Sequence, residues 1–197
     1  MRVAILASGN GTNFEALADH FQSGDIPGTL ALLFCNHPDA PVIKRAQRLH
    51  VPYTAFTVKS CGGKEAYEKK LLAVLQQYQI DFIALAGYLR VVGPTILNAY
   101  PHSIINLHPA LLPKYKGLNS IQRAFDDYQA GKCKETGVTV HYIDSQLDHG
   151  AIIGQQAVPI KPDDTEATLE ARVHDTEHVL FPAMLKKVLR ERENKEN

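Results

Sequence analysis

Three runs in this chain, Val3-Ala4-Ile5-Leu6-Ala7, Thr29-Leu30-Ala31-Leu32-Leu33-Phe34 and Asp81-Phe82-Ile83-Ala84-Leu85-Ala86, are apolar almost throughout, and they constrain the fold more than any other feature. A strand with one wet face alternates apolar and polar residues, whereas a fully apolar strand is covered on both faces. Between the runs lie segments of helical spacing: Phe14, Leu17, Ala18 and Phe21 after the first, then Val42, Ala46 and Leu49 after the second. Val51 to Phe56 adds a third strand and Lys64 to Gln79 a helix before the strand at Asp81. Strands alternating with helices predict an α/β fold, a mostly parallel twisted sheet with helices on both faces. Further strands are predicted at Ser103 to Asn106, Thr136 to Tyr142 and Ala151 to Val158, and helices at Ile121 to Ala130 and Glu166 to about Arg190.

No repeat, low-complexity tract or Pro/Gly linker divides the chain, so residues 1–190 read as one domain and 191–197 as a charged, frayed tail. With 197 residues, 45% of them apolar, a sizeable core can be buried. Lys plus Arg and Asp plus Glu each number 21, giving zero formal net charge. That balance argues against nucleic acid or an anionic membrane as partner and favours small molecules. Cys35, Cys61 and Cys133 are odd in number and lack a CxxC pairing, the pattern of reduced thiols in a cytoplasmic protein. No segment approaches the roughly 18 to 20 apolar residues of a membrane span, and Val3 to Ala7 is too short for a signal peptide core.

Two places carry chemistry. Ser8-Gly9-Asn10-Gly11-Thr12-Asn13 follows the first strand and opens a helix, where backbone amides point at an anion. Phe14 replaces the third glycine of a dinucleotide fingerprint, and the Lys-Ser/Thr of a P-loop is missing. The turn therefore suits a lone phosphate, the plainer alternative being a tight turn with Thr12 as helix cap. Further on, Asn106-Leu107-His108-Pro109 ends a strand with alternate residues Asn106 and His108, whose side chains share one side of an extended chain. Pro109 keeps His108 out of the helical region and Pro113 stiffens the loop beyond. An amide and an imidazole so held suit acyl transfer to an amine, which needs an oxyanion donor and a group to manage a proton. Asp148 in Leu147-Asp148-His149-Gly150 offers a carboxylate that would favour the imidazolium form of His108. A satisfied polar pair in a strand-to-loop corner is the bland reading of Asn106 and His108.

These motifs, with Ala86-Gly87-Tyr88-Leu89-Arg90 between them and Asn106 extending through Pro113, occur in the order found in the phosphoribosylglycinamide formyltransferase family, which the chain resembles over almost its whole length. The resemblance implies a Rossmann-like formyltransferase fold, a cytoplasmic enzyme of purine synthesis, monomeric or homodimeric, and a metal-free transfer from 10-formyltetrahydrofolate to the amine of glycinamide ribonucleotide. It implies that Gly11, Thr12 and Asn13 hold the substrate phosphate, that His174, Asp175, Thr176 and Glu177 face the ribonucleotide, and that Asn106, His108 and Asp148 are catalytic. It further implies that Lys64, Leu89, Arg90, Val91, Val92 and Asn106 border the folate and that Asp144, Ser145, Gln146, Leu147 and Asp148 close over its pterin. Without that likeness, Leu89, Val91 and Val92 read as core residues and Arg90, Lys64 and Glu177 as solvated charges. Many relatives have Arg at Lys64, Gly at His149 and His at Asn119; a lysine lacks the bidentate fork of arginine.

Four other readings compete with this one. Enzymes that formylate initiator tRNA or hydrolyse formyl-folate share the fold but carry an additional domain. His174-Asp175-Thr176-Glu177-His178 matches the HxxEH order of zinc peptidases, although little chain remains to supply a third ligand. A non-catalytic sensor using the glycine turn would leave Asn106, His108 and Asp148 without a joint purpose.

Overall fold

In the computed structural model, which describes residues 1–146 and 148–196, the apolar runs form the middle of one seven-stranded sheet ordered β3-β2-β1-β4-β5-β6-β7. Its strands are β1 (Arg2–Ala7), β2 (Thr29–Cys35), β3 (Tyr53–Ala55), β4 (Phe82–Leu85), β5 (Ile104–His108), β6 (Glu135–Tyr142) and β7 (Ile152–Pro159). Pairings from β3 through β5 are parallel, and β5–β6 and β6–β7 are antiparallel. The helices are α1 (Thr12–Gln22), α2 (Pro41–Arg48), α3 (Lys64–Gln77), α4 (Pro94–Ala99), α5 (Ser120–Gln129) and α6 (Glu166–Glu196).

Two cores sandwich the sheet, and the strands feed both by alternation. Val3, Ile5 and Ala7 of β1 join Phe14 and Leu17 of α1 and Phe181 and Leu185 of α6 on one face. Ala4 and Leu6 turn to the other, where Leu71 and Leu75 of α3 and Ile96 of α4 cover them. Among the described residues, no helix is long and apolar enough to cross a membrane.

β1 lies between β2 and β4, so the chain reverses its direction of travel across the sheet there. Such a switch point opens a crevice at the carboxyl ends of the strands. Ser8, buried just past β1, ties three loops at this edge: its N–H donates to the Gly87 carbonyl (3.1 Å), its Oγ donates to Asn36 Oδ1 (2.6 Å), and the Leu89 N–H donates to the same Oγ (2.9 Å).

Several boundaries differ from those predicted. β3 is shorter than Val51 to Phe56, and α4 and a 3-10 turn at Lys59–Cys61 were not foreseen. A proline is favoured in a helix's first turn, and here Pro94 follows Gly93, whose N–H donates to the buried Glu68 carboxylate at 2.6 Å. The tail predicted to fray from residue 191 is helical to Glu196. Arg192 anchors it, donating to Ser103 Oγ (3.1 Å) and to the His102 carbonyl while stacking on the Phe82 ring, 4.9 Å from its centre.

Candidate functional site

The turn after β1 is a left-handed cap. Gly11 (φ 81°) precedes Thr12, and its carbonyl accepts the first helical bond from Glu15 (3.0 Å). A Cβ at Gly11 would meet Val42 Cγ2 at 2.3 Å, so both backbone and space exclude a side chain there. Asn13 leads across to α6, where its Nδ2 donates to Glu177 Oε2 (2.7 Å), the oxygen that also faces His174 Nδ1 (2.8 Å). Glu177 is only 3% exposed, and its hydrogen bond raises the His174 pKa despite partial burial of the ring. Among the described residues, the buried Asn13 Oδ1 has no hydrogen-bond partner. The residues expected to face the ribonucleotide are thus brought together in part: His174 and Glu177 join Asn13, whereas Asp175 is exposed and the Thr176 hydroxyl donates to the Arg172 carbonyl (2.9 Å).

At the far side of the crevice, the antiparallel register of β5 on β6 sets Asn106 opposite His141 and His108 opposite Thr139. The intervening Ile105, Leu107, Val138 and Val140 point into the core below, so the four polar side chains share the opposite face. His141 is fully buried; its Nδ1 faces the Tyr142 carbonyl (2.8 Å) and its Nε2 faces Asn106 Nδ2 (3.1 Å). A neutral ring with its hydrogen on Nδ1 satisfies both contacts, Nε2 accepting from the amide. Burial lowers the His141 pKa and so favours that form, the Tyr142 bond and the Asp148 charge opposing it more weakly.

His108 Nε2 lies 2.9 Å from the Tyr115 carbonyl and its Nδ1 3.6 Å from Asp148 Oδ2. Asp148, its side chain 7% exposed, reaches between the histidines, with Oδ1 3.7 Å from His141 Nε2. It takes a left-handed backbone (φ 48°) and is steadied by the Gly117 N–H, which donates to Oδ2 at 2.8 Å. The three residues predicted as catalytic therefore converge.

Thr139 holds the Pro109 to Pro113 loop. Its hydroxyl donates to the Ala110 carbonyl (2.6 Å) and accepts from the Leu112 N–H (3.1 Å) and from Gln155 Nε2 (2.8 Å). His141, Thr139 and Gln155 were not singled out in the sequence. The period-two alternation of β6 was the available signal, placing 139 and 141 on one face without saying which face that was.

The residues expected to border the folate are more scattered. Leu89 and Val91 are not core: they are 69% and 68% exposed, beside the loop that Ser8 ties down. Arg90 lies over the Tyr67 ring, 5.5 Å from its centre, and Val92 packs on the second core. Lys64 begins α3 beside a shallow hollow of ≈ 340 Å³ that Gly62, Gly63 and Lys69 also line. Ser145 and Gln146 are exposed, and Leu147 lies outside the described residues. Asp144 accepts the Gln146 N–H (2.7 Å) and pairs with His149 Nδ1 (3.0 Å), contacts that hold its carboxyl below the usual range, the histidine bond most. Asn119 is the left-handed cap of α5 (φ 56°). Among the described residues, no group of three His, Cys, Asp or Glu is arranged to hold a metal ion.

Comparison with known proteins points to one family. The Formyl transferase family model matches residues 1–185. Phosphoribosylglycinamide formyltransferase of Bacillus subtilis (strain 168) is 43% identical over 188 residues, 95% of this chain and 94% of that protein. The Haemophilus influenzae protein of the same name is 37% identical over 94% of this chain and 85% of its own length. The crystal structure of glycinamide ribonucleotide transformylase 1 from Geobacillus kaustophilus superposes with a TM-score of 0.90 at 48% identity, covering 95% of this chain and 98% of that one.

Proposed function

Because the chain belongs to the formyl transferase family, we propose that it transfers the formyl group of 10-formyltetrahydrofolate to the amine of glycinamide ribonucleotide, a step of purine biosynthesis, with residues 1–190 as the working unit. The observation that carries this reading is the convergence of Asn106, His108 and Asp148 at the same sheet edge as the Gly11 turn. The phosphate sits on the amides at the start of α1, with Gly11, Thr12 and Asn13 around it and Glu177 and His174 toward the ribose. The folate lies along Leu89, Arg90, Val91 and Val92, whose exposed apolar members suit an aromatic ligand, with Lys64 and the loop from Asp144 to Asp148 at its two ends.

The amine nitrogen attacks the formyl carbon, forming one C–N bond. Collapse of the tetrahedral intermediate breaks the bond from that carbon to folate N10, and the proton lost by the amine ends on N10. Asn106 holds one amide hydrogen on His141 and retains the other for the oxyanion. In this mechanism His108 acts as the imidazolium, its Nε2 2.9 Å from the Tyr115 carbonyl and its Nδ1 facing the Asp148 carboxylate at 3.6 Å. It reaches the oxyanion by sharing or exchanging its bond to the Tyr115 carbonyl. Asp148 balances the imidazolium and relays the proton. Orientation of two bound reactants supplies much of the acceleration.

The test is to incubate the purified chain with both substrates and follow deformylated folate and formylated ribonucleotide. Equal appearance of the two supports the transfer. Folate deformylation without formylated ribonucleotide shows water as acceptor and rejects the reading in favour of a hydrolase.

A further inference from the structure

We propose that Arg45 is the positioning residue of the phosphate turn, a role that rests on reading Gly11 to Asn13 as the seat of the ribonucleotide phosphate. α2 grips three successive residues of that turn. The Val42 N–H donates to the Gly9 carbonyl (3.1 Å), and the Val42 side chain fills the space beside Gly11. One helical turn later, Arg45 Nε donates to the Asn10 carbonyl (2.7 Å) and Nη2 to Asn10 Oδ1 (2.8 Å), a fork that fixes both the backbone and the side chain of Asn10. Nη1 pairs with Glu15 in the first turn of α1, so each guanidinium nitrogen is engaged with the chain.

The charge of Arg45 is matched as well. Glu15 also binds Arg48, and these two arginines, Arg48 foremost, hold its carboxyl below the usual carboxylate range. Arg45 is therefore not a free countercharge for a phosphate. It acts through geometry: amides that converge on an anion bind it well only while the turn cannot fan open. A planar fork holds two acceptors at a set angle, which an ammonium does not. Its charge-preserving replacement by lysine therefore separates shape from charge.

The experiment compares kcat/KM for glycinamide ribonucleotide with kcat/KM for its phosphate-free riboside, at saturating formyl-folate, in the full chain and in Arg45→Lys. The ratio reads the phosphate contribution alone. Arg45→Lys is expected to lower that ratio about tenfold or more, the worth of a charge-assisted fork, while KM for the folate stays the same. Asn10→Ala, which removes one acceptor of the fork at an exposed position, is expected to move the ratio the same way and serves if Arg45→Lys does not fold. A ratio kept by both variants, or an equal loss on both acceptors as general loosening would give, overturns the role of Arg45. A wild-type chain that turns over the ribonucleotide without preferring the phosphorylated acceptor overturns the phosphate seat itself, and Arg45 with it.

Discussion

On the proposed mechanism, Asn106 gives one amide hydrogen to a neutral imidazole at position 141 and keeps the other for the reaction. His141 Nε2 accepts from Asn106 only while it carries no proton, and burial lowers the ring's pKa in the folded chain. Acid places a proton on Nε2, turns the Asn106 contact into two donors facing each other, and redirects the ring to Asp148 Oδ1, 3.7 Å away. Turnover is therefore expected to fall on the acid side as His141 titrates. His141→Gln, which can accept from Asn106 without titrating, should remove that part of the acid limb; a kcat profile with an unchanged limb would refute the assignment. The same shift acts on stability. Below about pH 6.5 the unfolded chain takes up this proton before the folded one does, so stability conferred by the neutral ring is present above that pH and declines as pH falls further. For the reacting groups, His108→Ala and Asp148→Asn are expected to lower kcat by about a hundred- to a thousandfold with little change in KM. Near-normal turnover in either purified variant removes that residue from the mechanism.

The β5–β6 pair is the element on which the site is built, and Thr139 is its joint. Thr139→Val keeps the shape but deprives the Leu112 N–H and Gln155 of a shared acceptor and the Ala110 carbonyl of a donor. About 2 kcal/mol of unfolding free energy is expected to go, measured by denaturant titration, together with a fall in kcat because the loop beyond His108 is freed. Unchanged stability would show that the loop is held by other contacts. This pair also marks how far the sequence could be read. Asn106 and His108 were legible because alternation and two prolines act locally. Their neighbours were not, because the register that sets His141 against Asn106 joins residues distant in sequence. Within Thr136 to Tyr142 the buried polar residues are hidden in an otherwise strand-like run. The central strands, apolar on both faces, were legible for the same local reason. The six-residue α4 was not, because its start depends on the distant carboxylate of Glu68. Read from the residues alone, Leu89 and Val91 pass for core, because apolarity does not tell a packed residue from an exposed one.

Across the whole molecule, α1 and α6, from early and late in the sequence, meet at the carboxyl edge of the sheet. α1 and α6 pack on the same face of the sheet, and Asn13, Glu177 and His174 link them at its carboxyl edge. Lys186 to Asp25 makes a second tie between α6 and the segment after α1, and Arg192 joins the end of α6 to the turn before β5. The first tie is also the titratable one. Its histidine has a pKa raised by the Glu177 bond, so the charged pair is fully formed below the unfolded value of about 6.5 and its contribution is lost as pH rises through the raised folded value. Alkali should therefore leave Glu177 with a weaker partner and free it to turn from Asn13, loosening the wall of the crevice that faces the ribonucleotide. KM for the ribonucleotide is expected to rise on the alkaline side while KM for the folate, which the proposed function sets along Leu89 to Val92, does not. His174→Gln should have the raised KM at every pH and no alkaline step. A step of equal size in that variant would assign the titration to another group and leave the tie between α1 and α6 without a part in substrate binding.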